Sequence, residues 1–151
     1  MPVEIDRRER RPFTATATEL PLGPSTATPP PVVAVLGRPE RVAGLPTHLP
    51  AGWTVRIAGD LDDVRPHEIV LFGDAGVAAV HTARAVLPRR TRIVALVDPH
   101  APAELVAGVL TAGADACVRG GQPAILASHL VACRRRQLAG RWAQLNQQDR
   151  R

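Results

Sequence analysis

Four polar side chains stand one or two positions after apolar runs and are the first candidates for chemistry. Arg38 follows the run ending at Leu36, Asp74 the run ending at Phe72, Asp98 the run ending at Val97, and Arg119 the run ending at Val118. If those runs are parallel strands, two carboxylates and two guanidiniums line one rim, where they could orient a small anion or a nucleotide. Gly37, Gly73 and Gly120 lie on the same rim. Their missing side chains leave room for a ligand on one reading. On the preferred reading they are turn residues, chosen for backbone freedom. Arg119 is then expected to be neutralised internally by Asp98 or Asp74, because an unpaired buried charge costs several kcal/mol.

Other chemistries find little support. No Gly-x-Gly-x-x-Gly follows the first apolar run, which argues against a dinucleotide site. The five histidines, at 48, 67, 81, 100 and 129, are scattered without a pair three or four residues apart, and Cys117 and Cys133 lack zinc spacing. Both cysteines read as free thiols in a reducing cytosol. No Ser-His-Asp or Cys-His arrangement can be placed. No catalytic residue, metal ligand or cofactor is therefore assigned, and the chain reads as a non-enzyme. Its N-terminus carries Glu4, Asp6 and four arginines without an apolar segment, so neither a signal peptide nor a membrane span is expected, and a cytoplasmic location is.

The elements that must position these residues are legible between Pro31 and Arg136. Strand-like runs cover Val32 to Leu36, Trp53 to Ile57, Glu68 to Phe72, Arg92 to Val97 and Ala116 to Val118. Helix-like stretches alternate with them. One spans Ala75 to Leu87 with Val77, Val80, Ala83 and Leu87 on one face; another starts near Pro102, buries Leu105, Val106, Val109 and Leu110, and stops at Gly113. Pro39 opens a short helix that Leu45-Pro46 stops, and Asp60 to Val64 has room for a single turn. Pro123 opens the last helix, with Ile125, Leu126, Leu130, Val131 and Cys133 against the sheet. Right-handed crossovers between such runs give a three-layer, doubly wound α/β domain with five parallel strands.

Glu68-Ile-Val-Leu-Phe72, Arg92-Ile-Val-Ala-Leu-Val97 and Ala112-Gly-Ala-Asp-Ala-Cys-Val118 resemble the receiver domain of bacterial response regulators, and with it a flavodoxin-like topology. In that family the third strand ends in the phosphorylated Asp and the fourth in a Ser or Thr. Those positions fall on Gly73 and Val97. The acidic pair that holds magnesium falls on Leu36 and Gly37, and the lysine on Gly120. Phosphoryl transfer needs a carboxylate nucleophile, oxygen ligands for a hard cation and a cation to neutralise the product. The resemblance thus implies a receiver-like scaffold with a degenerate phosphoacceptor site, which acts by binding.

With 151 residues, 45% apolar and only 3% aromatic, the chain supports one domain with an aliphatic core. All 19 basic residues are arginine, a bias that looks like a GC-rich bacterial genome. The net charge of +5 is concentrated at the two ends. Residues 1–31, rich in Pro, Thr and Arg, read as a disordered arm; 32–133 as the receiver-like domain; 134–151 as an Arg-rich helical extension. Solvated tails are preferred over nucleic-acid binding, because no aromatics interleave the arginines to stack on bases.

In the extension Leu138, Trp142 and Leu145 continue an apolar stripe at spacings of four and three, beyond any sheet able to bury them. They are read as partner-binding, together with Arg134, Arg135 and Arg136. The expected function is a phosphorylation-independent regulatory or adaptor module in signalling or transcriptional control. Its partner, a protein or a second copy of this chain, would engage the last two helices and the extension. The alternatives are a ligand-binding or enzymatic domain using the glycine-lined crevice, and a nucleic-acid accessory protein using the basic ends.

Overall fold

The computed structural model describes residues 28–150; most of the arm read over 1–31 thus lies outside the described residues. Five strands form one parallel sheet: β1 (Val32–Leu36), β2 (Thr54–Ile57), β3 (Ile69–Phe72), β4 (Ile93–Val97) and β5 (Ala116–Arg119). Their spatial order is β2-β1-β3-β4-β5. Three α-helices accompany them: α1 (Val77–Val86), α2 (Ala103–Ala112) and α3 (Pro123–Asp149). The three-layer α/β fold expected from the alternation is the one observed.

The pleat of the strands divides the core into two halves. Ala34, Leu36, Val70, Phe72, Ile93, Ala95 and Val97 face one side, where Val80 and Ala83 of α1 and Val109 of α2 cover them. Val33, Val35, Ile69, Leu71, Val94 and Leu96 face the other, under Leu126, Ala127, Leu130 and Cys133 of α3. Central strands covered on both faces become continuous apolar runs. That is why Ile-Val-Leu-Phe and Ile-Val-Ala-Leu-Val are readable in sequence.

Several expectations need correction. No α-helix joins β1 to β2; two short 3-10 turns, Pro39–Val42 and Leu45–His48, do so. Leu45-Pro46 begins the second turn instead of stopping a helix, since proline fits a first helical turn whose N–H would be unbonded. Val42 and Leu45 are nonetheless buried under the same face as α3. Val77, Leu110 and Ile125, expected in the core, are exposed. The single turn after β2 is Leu61–Asp63, capped by the Asp60 carboxylate, which accepts from the N–H groups of Asp62 and Asp63. Gly113 ends α2 at φ 128, and a Cβ there would also collide with the Arg84 side chain.

Candidate functional site

At the carboxyl rim the chain leaves β1 through Gly37 at φ 91, and the N–H of Gly73 donates to the Leu36 carbonyl at 2.8 Å. This bond draws the first loop against the end of β3. A Cβ on Gly73 would collide with the carbonyl oxygen of Arg38 and reach its backbone nitrogen at 3.0 Å. Main chain therefore fills the space a side chain at position 73 would use. The N–H of Gly120 donates to the Val97 carbonyl at 2.8 Å, and a Cβ on Gly120 would stand 3.1 Å from Nη2 of Arg41. Leu36 and Val97 are buried in the core. Arg41 was not legible as a rim residue, because an irregular pair of 3-10 turns places it there.

The four polar candidates do not converge. Arg38 and Asp74 form an exposed ion pair at 3.9 Å, of a kind that contributes little. Asp98 accepts from the N–H of His100 at 2.8 Å within its own turn. The expected carboxylate partner of Arg119 is not found: its Nε and Nη2 both donate to the carbonyl of Ala101 at 3.1 Å. That side chain is exposed, so solvent does what a counter-ion would have to do in the interior.

The ordered ionic chemistry lies at the opposite, amino-terminal edge of the sheet, where sequence reasoning placed none. Glu68, just before β3 and 1% exposed, receives a bidentate fork from Nε and Nη2 of Arg56, each at 2.7 Å, and the N–H of Arg65 at 2.8 Å. Burial pushes the Glu68 carboxyl up, but the hydrogen bonds from Arg56 and Arg65 outweigh it and hold the carboxyl below its ordinary range. Asp115, just before β5, accepts from the N–H of Ile93 at 2.8 Å and from Nη1 of Arg92 at 3.0 Å. These pairs span 12 to 23 residues of sequence, and no local pattern announces them.

Helix α3 passes the same edge and runs on. Its 27 residues amount to about 40 Å at 1.5 Å per residue. Leu126, Leu130 and Cys133 are buried as expected, and burial pushes the Cys133 thiol up. Arg134 departs from its reading as part of an exposed basic cluster. It is 8% exposed, and its Nη2 donates to the carbonyl of Pro29 at 2.6 Å. Arg135 and Arg136 are exposed, and Leu138 is half-buried. Trp142 and Leu145 are 66% and 46% exposed. Among the described residues, no helix is long and apolar enough to cross a membrane, and no cluster of three or more His, Cys, Asp or Glu could hold a metal.

This architecture is that of response-regulator receiver domains. The signal receiver domain of an HD domain-containing protein from Pseudomonas fluorescens Pf-5 superposes with a TM-score of 0.61 at 17% identity, over 80% of this chain and 98% of that one. A CheY-like receiver domain protein from Methanospirillum hungatei JF-1 gives 0.56 at 16% identity, over 75% of this chain and 99% of that one. A response regulator from Thermotoga maritima gives 0.56 at 14%, over 70% and 98%. No protein-family model and no curated protein sequence matches the chain. The likeness is one of fold: the chain has a receiver-like architecture.

Proposed function

We propose that this protein is a regulatory module in signalling that keeps the receiver scaffold, does not use phosphoryl transfer, and works by binding another protein or a second copy of itself. Gly73, Val97, Leu36, Gly37 and Gly120 stand where the family resemblance puts the acceptor, the hydroxyl, the magnesium ligands and the lysine, and none offers the side-chain chemistry required. The approach of the Arg38 backbone to Gly73 supports this reading, because it leaves no room for an acceptor side chain.

The observation that carries the binding role is the projection of α3. Beyond Arg134 the helix continues for 15 residues to Asp149 and presents Trp142 and Leu145 to solvent. Gly140 costs such a helix about 1 kcal/mol relative to alanine, and isolated helices are marginal in water, so a contact that holds it is favoured. Exposed Trp beside apolar neighbours is a common anchor in protein interfaces. Leu110 on α2 and Ile125 on α3 are exposed as well.

A photo-crosslinking amino acid at position 142, compared with one at the exposed Val86 of α1, tests the role in cells. The proposal expects a discrete protein adduct from position 142 alone. Equal or absent adducts at both positions would contradict it.

A further inference from the structure

A second concavity opens at the amino-terminal edge of the sheet, at the far end of the strands from Gly73. It has a volume of about 360 Å³ and is walled by Arg90, Arg92, Arg134, Arg141, His67 and Leu138. No carboxylate is among its lining residues. Arg92 is offset by Asp115 at 3.0 Å. Among the described residues, Arg90, Arg134 and Arg141 take part in no ion pair. Four guanidiniums less one paired leave three positive charges around one cavity without a counter-charge among the described residues.

Arg134 makes the arrangement costly. It is nearly buried and held by neutral oxygens, the carbonyl of Pro29 at 2.6 Å and Oε1 of Gln137 at 3.4 Å. Burial, and then repulsion from Arg141, lower its affinity for its proton. In the same wall, Nε of Arg92 is buried without a hydrogen-bond partner. Charges and donors left in this state are what an anion would satisfy.

We infer that this cavity is a binding site for a small phosphate monoester, its phosphoryl group held by Arg90, Arg134 and Arg141. Arginine forks match phosphate oxygens, and a phosphate ester carries the near-double negative charge that three uncompensated guanidiniums call for. The volume suits a small metabolite, at the lower end of ordinary ligand sites. Leu138 and Pro29 give the organic portion an apolar wall. A nucleic-acid backbone fits less well, because Arg134 is recessed below the surface and no Phe, Tyr or Trp ring lines the cavity to stack on a base. Leu138 belongs to this wall, which separates it from the exposed Trp142 and Leu145. The site does not depend on the role proposed for those two residues.

The test is calorimetric titration of the full chain with inorganic phosphate and with glucose 6-phosphate, at ionic strength held constant with chloride. Saturable binding of both is expected, tighter for the ester. Arg141→Ala and Arg90→Ala should each weaken it about tenfold or more, the loss of one charge-assisted contact. Both side chains are exposed, so these variants should fold even if Arg134→Ala does not. Arg119→Ala, at the opposite rim, should bind as the parent does. No saturable binding, binding undiminished in the Arg90→Ala/Arg141→Ala double variant, or an ester bound no more tightly than free phosphate would each overturn the assignment. So would tighter binding of a DNA duplex that weakens steeply with salt.

Discussion

The carbonyl oxygen of Arg38 stands where a Cβ on Gly73 would project, so the first loop and the end of β3 meet main chain to main chain. A side chain of any kind at position 73 must push the loop outward. Gly73→Ala is therefore expected to destabilise the domain by about 1–3 kcal/mol, the range for overpacking a closely fitted site. Urea denaturation with an unchanged slope would register it. Gly73→Asp should cost at least as much.

The buried pair of Glu68 and Arg56 gives the fold an acid-sensitive joint. Folded Glu68 holds its proton more weakly than its ordinary value of 4.5 implies. The unfolded chain therefore takes up more protons as the pH falls. The stability this pair contributes is present above about pH 4.5 and is lost as the pH drops through the lower folded value. Glu68→Gln should flatten that part of the stability–pH curve. Arg56→Ala should cost about 3 kcal/mol near neutral pH, since it strands a buried carboxylate.

Cys133 reports on the docking of α3. It is buried beneath the helix and burial pushes its thiol up, so thiolate is scarce at neutral pH. A disulfide reagent should modify it only as fast as α3 lifts from the sheet, and the rate should rise sharply in denaturant. Immediate modification of Cys133 in the folded protein would show that α3 is not seated as described.

Trp142→Ala separates stability from binding. The side chain is 66% exposed, so its loss should change unfolding free energy by no more than about 0.5 kcal/mol. The same change should weaken self-association or partner binding by about 2 kcal/mol or more, with little dependence on salt. Replacing Arg135 and Arg136 should matter less.

The fold was legible because its central strands are covered on both faces. Val32–Leu36 was bounded as observed, and the other four runs fall within one residue of their strands at each end. What sequence did not disclose depends on geometry between distant segments. In sequence, prolines 39 and 46 read as the start and stop of one helix, yet each falls in the opening of its own 3-10 turn. Arg134, Arg135 and Arg136 look alike as three consecutive arginines, although helical rotation turns only the first toward Pro29. A carboxylate partner for Arg119 follows only if the side chain is buried, and an exposed guanidinium is content with a carbonyl. The glycines of the rim were visible, but the reason Gly73 must be glycine lies 35 residues earlier, in the backbone of Arg38.

The decisive property is whether the domain can be phosphorylated. Intact-mass measurement after incubation with acetyl phosphate and magnesium should give the unmodified mass, because position 73 offers no carboxylate and no space for one. A stable added phosphoryl group that disappears in the Asp74→Ala variant would contradict it, and would mean that the acceptor had moved one residue along the rim.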